Sequence, residues 1–316
     1  MLGTRHWFRG EVGAAMVLVI FAAGSAHAEK LLRLKFQPGE VRNDQMVQEM
    51  NQSLRPAGET PPILMTTTQT MDISLKVESV DDQGTAALTQ TIERMRIKTQ
   101  SAQGVLMEFD SAAGKEPEGM AKMLTPMLDT MIKKPFRLQL TTRSEVRDMQ
   151  LPQGMLEGLN KVGGGGQAGN LFSPDWMKQM SEIAVLPEGP INPGQTWTRQ
   201  TTMKQPPQGD QIVDSTFRYE GSEIRDGKTL EKITVSMVLN TDGAKKEGMI
   251  GIKSQEIQGT IYLDGEAGRI VDSVSRTKMK MDIEVFGQKM TQDMEMTTTI
   301  KRRSPEGEAA SAEGRE

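Results

Sequence analysis

Residues 278–285 read Lys-Met-Lys-Met-Asp-Ile-Glu-Val, so that charged and apolar side chains alternate throughout the stretch. Successive side chains of a β-strand point to opposite faces, and this period of two predicts a strand with one apolar and one charged face. The chain then reverses around Phe286-Gly-Gln-Lys289, and a return strand follows. The apolar residues of the return strand are Met290, Met294, Met296 and Ile300. The sequence thus predicts a β-hairpin.

The same alternation recurs in three other stretches of the chain. These are residues 32–36, 71–77 and 233–239. One-sided alternation is typical of antiparallel sheets that have one buried and one solvated face. The pattern changes phase between Ile92 and Met95, which predicts a β-bulge or a bend.

Two pairs of similar segments indicate an internal repeat. Phe36-Gln-Pro-Gly-Glu40 resembles Ile191-Asn-Pro-Gly-Gln195, and Gln103-Gly-Val-Leu-Met-Glu-Phe-Asp110 resembles Gln258-Gly-Thr-Ile-Tyr-Leu-Asp264. The two pairs occur in the same order and at the same sequence offset. We therefore predict a tandem duplication.

The predicted fold class is α+β and β-dominated. It consists of two tandem repeats of curved, half-barrel-like antiparallel sheet, with a few helices inserted between them and packed on them. The predicted segments are a signal peptide (1–28), a first repeat with an inserted Met-rich helix (29–151), a helical and Gly-rich linker (152–185), a second repeat (186–303) and a disordered tail (304–316).

The spacing of apolar residues predicts helices in the insert of the first repeat and in the linker. Met120, Met123, Met127 and Met131 are separated by three or four residues, so they would share one face of a helix. Pro126 lies inside this stretch and is expected to kink or split the helix. Two further helices are predicted in the linker, over 153–161 and from the N-cap Ser173 to Ile183.

The N-terminus has the three parts of a signal peptide. A basic start precedes an apolar run over 12–23, and Ala26-His27-Ala28 presents small residues where a signal peptidase would cleave. The apolar run is too short to span a bilayer. We expect a soluble protein that begins at Glu29, has no transmembrane segment after cleavage and resides in the periplasm or outside the cell.

The amino-acid composition excludes several kinds of catalytic and metal-binding site. The chain has no cysteine, and its only histidines, His6 and His27, lie in the predicted signal. The mature protein therefore lacks the residues for Ser-His-Asp or Cys-His catalysis, for the common zinc sites, and for haem or iron–sulfur ligation. The net charge of −4 provides no basic surface for nucleic acid. We expect no enzymatic activity and no cofactor.

Methionine is the one compositional excess, with 24 residues in the chain. Methionine fills irregular apolar space, so these residues could be core or could line a pocket for an apolar ligand. Their thioethers could also bind Cu(I). The predicted ligand-lining residues are Met120, Met123, Met127, Met131, Met279, Met281, Met294 and Met296.

One stretch of the chain reads Leu186-Pro-Glu-Gly-Pro-Ile-Asn-Pro-Gly-Gln-Thr-Trp197. It resembles a family of secreted bacterial proteins catalogued only as a domain of unknown function. Leu32-Arg-Leu-Lys-Phe-Gln-Pro-Gly-Glu40 resembles the start of that family, although the aromatic residue expected after the turn is absent. The resemblance implies a duplicated, strand-rich fold with helices packed on curved sheets. It implies no catalytic residues.

Three functions are compatible with these patterns. The first is a non-enzymatic envelope protein that binds a lipid, another apolar molecule or a membrane component. The second is a structural module that binds another envelope protein. The third is a hydrolase based on carboxylates, for which no motif marks a site.

Overall fold

The computed structural model describes residues 29–56, 61–114, 116–152, 154–155, 178, 184–205, 209–240, 250–285 and 288–303. The predicted signal peptide, the Gly-rich part of the linker and the tail lie outside these residues. The two helices predicted in the linker lie almost wholly outside them, so they stay predictions.

Twelve strands and one helix make up the described structure. The strands are β1 Val41–Pro56, β2 Ile63–Val80, β3 Ala86–Ser101, β4 Gly104–Asp110, β5 Pro135–Leu140, β6 Val146–Gln150, β7 Thr196–Gln205, β8 Gly209–Arg225, β9 Lys228–Asn240, β10 Ile250–Asp264, β11 Arg269–Val285 and β12 Gln288–Arg302. The helix is α1, Gly119–Leu128, with Pro126 inside it.

All twelve strands belong to one antiparallel sheet. The order is β6-β5-β3-β2-β1-β12-β11-β10-β9-β8-β7, with β4 paired to β3 beside this path. The sheet is curved and unclosed, because β6 and β7 are not paired with each other. The predicted β-dominated class and the predicted hairpin are confirmed, since Val285 on β11 pairs with Gln288 on β12.

The predicted bulge is also confirmed. Asp72 and Ile73 are consecutive in β2, but their partners on β3 are Arg94 and Ile92, so that Glu93 is an extra residue in the ladder. An extra residue shifts the phase of the alternation by one position. This is why the apolar residues on the two sides of the bulge have opposite parity.

The prediction of a strand at 32–36 is wrong in its pairing, although its alternation is real. Leu32 and Leu34 are buried, but their segment belongs to no strand. The amide of Leu34 donates to the carbonyl of Thr142, and the amide of Lys35 donates to the carbonyl of Gly268. These single bonds connect the segment to separate parts of the sheet instead of to one neighbouring strand.

One face of the sheet, the inner face, carries the core. Leu140 of β5 and Trp197 of β7 pack against the same cluster, although their strands lie toward opposite ends of the strand order. A single cluster can contact both ends only if the sheet curves around it. At this end of the sheet the amide of Leu186 also donates to the carbonyl of Arg143, which joins the segment before β7 to the β5–β6 turn. We call this the closed end.

Helix α1 covers the inner face of the first strands. Ala121 and Leu128 are buried in a cluster with Met95, Met107 and Phe109. Their spacing of seven residues places both side chains on one side of the helix. The helix is therefore held by a small apolar contact with β3 and β4.

The two Pro-Gly turns of the predicted repeat make the same pair of backbone bonds. The amide of Gly39 donates to Val77, and the amide of Val77 donates to Glu40. In the second turn the amide of Gly194 donates to Tyr219, and that of Tyr219 donates to Gln195. Both glycines have positive φ, +82° and +86°, which favours glycine in each turn. The duplication itself stays a prediction.

Candidate apolar ligand site

Four adjacent strands, β2, β1, β12 and β11, form an uncharged surface in the middle of the inner face, which we call the methionine face. Its residues follow from the period of two and the strand register. They are Met65, Thr67, Gln69 and Met71 of β2; Met46, Gln48, Met50, Gln52 and Leu54 of β1; Met290, Gln292, Met294, Met296, Thr298 and Ile300 of β12; and Ser273, Ser275, Thr277, Met279, Met281 and Ile283 of β11.

The opposite face of the same strands is charged. Lys278 of β11 lies 3.8 Å from Glu295 of β12, and Lys280 lies 3.5 Å from Asp293. These pairs are half exposed and contribute little stability individually. Their role is to keep this face in water, so any apolar contact with a ligand falls to the other face.

The register places methionines directly opposite one another. Met279 pairs with Met294 across β11 and β12, and Met296 pairs with Met50 across β12 and β1. Directly opposed side chains of an antiparallel pair have Cβ atoms roughly 5 Å apart. Flexible thioether side chains therefore form a continuous surface across three strands.

Two glutamines of this face bond to neighbours on the same face. The Gln48 amide donates to Thr298 Oγ1 at 3.4 Å, and the Gln52 amide contacts Met50 Sδ at 2.9 Å. Amides and hydroxyls without partners would require water, so these bonds allow the surface to be covered by an apolar group at lower cost.

The methionine face is only partly buried. Met71 and Thr277 are buried, whereas the other residues of the face are half-buried. Among the described residues, five methionines of this face belong to none of the three core clusters. They are Met50, Met279, Met281, Met294 and Met296. These side chains are thus apolar, accessible and not used to build the core.

The structure brings half of the predicted ligand-lining residues together. Met279, Met281, Met294 and Met296 all lie on the methionine face. The helix set does not share one environment. Met120 is 50% exposed and Met123 is 72% exposed, whereas Met131 packs against the first core cluster. The side chain of Met127 lies outside the described part of the structure.

The methionines of the helix differ in environment because α1 turns another of its sides toward the sheet. Ala121 and Leu128 contact the sheet, and Met120 and Met123 project from the other side. Met120, Met123 and Met127 belong to α1, but the helix ends before Met131 and packs through a neighbouring face. The prediction that Met120 and Met123 line a ligand site stays a prediction.

Sequence reasoning missed the contribution of β1. On this strand an apolar residue occurs at every fourth position, and glutamines occupy the inward positions between them. The apolar residues are Met46, Met50 and Leu54. An inward glutamine breaks the apolar alternation that marks a strand. The available signal was the absence of charge at all these positions.

A charged group lies buried at the closed end. Glu231 accepts hydrogen bonds from Lys30 Nζ at 2.5 Å, from Ser222 Oγ at 2.8 Å and from the hydroxyl of Tyr219. Burial acts to raise the pKa of Glu231, but these donors outweigh it and leave the pKa below its usual value. Burial and the adjacent carboxylate raise the pKa of Tyr219 to about 12. This arrangement holds the N-terminal segment on β9.

Within the described part of the chain, no three carboxylate, histidine or cysteine side chains come together as metal ligands. The opposed pair Met279 and Met294 could supply thioethers to Cu(I), so copper binding stays a hypothesis. Among the described residues, no helix has the length and hydropathy required to cross a membrane.

The fold and the site define a class of protein: a single curved antiparallel sheet whose inner face carries, at its middle, the uncharged and Met-rich methionine face, with ion pairs on the opposite face of the same strands. The chain belongs to the Family of unknown function (DUF6263), whose sequence pattern matches residues 83–302. The predicted resemblance to a family of unknown function is thereby confirmed. No curated protein matches the sequence.

Several solved structures match this chain at low sequence identity. Lipovitellin, in a structure described for its lipid–protein interactions, is 12% identical with a TM-score of 0.47, and the match covers 85% of this chain and 26% of lipovitellin. A Bacteroides fragilis protein described as having a YmcC-like fold is 10% identical, with a TM-score of 0.25, and the match covers 83% of this chain and 97% of that protein. DynF from Micromonospora chersina is 6% identical, with a TM-score of 0.23 and 88% of each chain covered.

Proposed function

We propose that this protein is an exported, non-enzymatic envelope protein that binds an apolar ligand on the methionine face. The observation that carries the proposal is the contrast between the two faces of the same four strands. One face has ion pairs such as Lys278–Glu295, and the other has half-buried methionines and no charge. A contiguous apolar patch that stays accessible on a soluble protein is typical of a site that binds a ligand or a partner.

Methionine suits such a surface because its side chain is flexible and polarizable. It can adapt to ligands of different shape, as a Leu or Ile surface of fixed rotamers cannot. Burial of apolar area contributes roughly 25 cal/mol per Å², so a few hundred Å² of contact would contribute several kcal/mol before the costs of association. That range is sufficient for reversible binding.

Export is supported by the predicted signal peptide and the cleavage site before Glu29. A non-enzymatic role is supported by the residue types of the mature chain, which has neither histidine nor cysteine. The buried carboxylate of Glu231 is fully engaged by Lys30, Tyr219 and Ser222, so it has a structural role.

A neutral fluorescent probe tests the proposal directly. N-phenyl-1-naphthylamine should bind the mature protein saturably and gain fluorescence. Met294→Asp places a charge at the centre of the methionine face and should weaken binding roughly tenfold or more, because the ligand would desolvate the carboxylate. The matched control is Thr297→Asp, three residues away on the charged face, which should bind the probe as wild type does.

Absence of saturable binding by the wild-type protein would contradict the proposal. Equal loss in Met294→Asp and Thr297→Asp would also contradict it, since the site would then not be the inner face. The unfolding midpoint of each variant must be measured beside its affinity, so that loss of structure is not mistaken for loss of a site.

A further inference from the structure

Three arginines converge on one carboxylate at the closed end of the methionine face. Arg42 forms two hydrogen bonds with Glu40, from Nε at 2.9 Å and from Nη2 at 2.8 Å. Arg269 Nη1 and Arg302 Nη2 lie 3.8 and 3.9 Å from Glu40 Oε1. Both of these distances exceed a hydrogen bond, so two of the three guanidinium groups are near Glu40 without being bonded to it.

The cluster is continuous with the methionine face. Arg302 lies two residues beyond Ile300 on β12, and Asp44, its partner in the register, lies two residues before Met46 on β1. Arg302 and Met294 are eight residues apart on one strand, which corresponds to roughly 27 Å. The inner face therefore has a charged end and a long uncharged surface leading away from it.

The cluster has more positive than negative charge. Glu40 and Asp44 are the carboxylates facing Arg42, Arg269 and Arg302. Burial, together with the neighbouring charges of Arg269 and Arg42, lowers the pKa of Arg302. Arg269 Nε is buried and has no acceptor among the described residues. A buried donor without a partner is costly, and it shows that Glu40 does not satisfy the Arg269 guanidinium.

The three arginines have different roles. Arg42 is fixed by Glu40, by the carbonyl of Lys35 at 2.9 Å and by the ring of Phe36, 5.4 Å from its guanidinium carbon. It holds Glu40 in place and adds charge. Arg269 and Arg302 have 29% and 23% of their side chains exposed, so they can reach a ligand.

We propose that Arg269 and Arg302 bind the carboxylate or phosphate group of an anionic amphiphile whose apolar chain lies along the methionine face. This inference rests on the proposed function and makes it specific, because it selects amphiphiles with one anionic end. Guanidinium groups are suited to this task, since their planar donors match the oxygens of carboxylates and phosphates.

Competition with N-phenyl-1-naphthylamine can compare three ligands: oleate below its micelle concentration, oleyl alcohol and inorganic phosphate. Oleate and oleyl alcohol share one apolar chain and differ in charge. Wild-type protein should bind oleate roughly tenfold or more tightly than oleyl alcohol, the range expected for charge-assisted hydrogen bonds. Inorganic phosphate should displace neither the probe nor oleate at comparable concentration.

Arg269→Gln should remove the preference for oleate and leave the affinity for oleyl alcohol unchanged. Arg269→Lys keeps the charge but not the paired donors, so it should retain part of the preference and serve if the Gln variant is unstable. The matched control is Arg276→Gln, which removes an exposed arginine of the same strand on the charged face.

The outcomes separate the two proposals. Equal affinity of wild type for oleate and oleyl alcohol would overturn the anionic site and leave the proposed function standing. Binding of neither oleate, oleyl alcohol nor the neutral probe would overturn both. A third outcome is that inorganic phosphate displaces oleate as strongly as oleyl alcohol displaces it. That result would show that the arginines bind free anions, and it would overturn the proposal that the ligand is an amphiphile.

Discussion

Lys30 Nζ lies 2.5 Å from Glu231 Oε1, although 201 residues separate the two in sequence. Glu231 is 3% exposed, whereas Lys30 is half exposed. Removal of the lysine would leave a buried carboxylate without its counter-charge. We expect Lys30→Met to lower the free energy of unfolding by about 2–3 kcal/mol, below the usual range for buried pairs because Lys30 is partly in water. Urea unfolding at pH 7 measures this.

The control for that change is Lys278→Met. Lys278 and Glu295 are 3.8 Å apart and both more than half exposed, so loss of this pair should cost less than about 1 kcal/mol. Equal effects of the two substitutions would show that the closed end does not depend on the buried pair.

Glu231 should also make stability depend on acidity. Its pKa is lowered in the folded protein despite burial, because Lys30, Tyr219 and Ser222 donate to it. A lowered pKa means that the unfolded chain takes up its proton first, so stability is present above the ordinary pKa of a glutamate and is lost as the pH falls below it. Wild type should thus lose more stability between pH 6 and pH 3 than Glu231→Gln does.

Comparing wild type with Glu231→Gln isolates the contribution of the Glu231 carboxylate to the pH dependence of stability. Arg42 lowers the pKa of Glu40, and Arg94 lowers that of Asp110, so acid weakens the folded state of both proteins. The difference between wild type and Glu231→Gln removes these shared contributions. Parallel pH profiles for the two proteins would contradict the assignment.

Gly268 holds the N-terminal segment by close approach. A Cβ at this position would lie 2.7 Å from the backbone nitrogen of Lys35, and the φ of Gly268 is +62°. We expect Gly268→Ala to destabilise the protein by about 2–4 kcal/mol, from the left-handed backbone and from displacement of the segment. Hydrogen exchange at the Lys35 amide, which donates to the Gly268 carbonyl, should accelerate.

Gly227 provides the comparison for that prediction. Its φ is +75°, but a Cβ there would meet nothing within 4 Å. Gly227→Ala should therefore cost only about 1–2 kcal/mol, the backbone part alone. A cost for Gly268→Ala no larger than that for Gly227→Ala would mean that the segment moves without penalty.

The sequence was sufficient for the hairpin of β11 and β12, because charged and apolar residues alternate there without interruption. It was insufficient for residues 32–36, whose alternation is the same. Periodicity reports which side chains are buried and not which backbone groups pair, and Leu34 and Lys35 bond to Thr142 and Gly268 separately. Extended segments that are buried outside a sheet give the pattern of a strand.

The arginine cluster was invisible in the sequence for a different reason. Arg42, Arg269 and Arg302 belong to three strands, and only the pairing of β1 with β12 and β12 with β11 brings them together. The first strand of the described sheet thus pairs with the last. A pairing over this sequence distance depends on the whole sheet and leaves no local signal.

Oxidation can distinguish the methionine face from the core. Dilute hydrogen peroxide converts accessible methionine to the sulfoxide, which is polar. Met123, at 72% exposure, should react first, Met279 and Met294 next, and Met95 and Met155, each 1% exposed, last. Peptide mass spectrometry at successive times gives the order.

Saturating oleyl alcohol should slow the oxidation of Met279 and Met294 and leave that of Met123 unchanged, because only the former pair would be covered. Protection of Met123 alone would place the ligand on the helix instead.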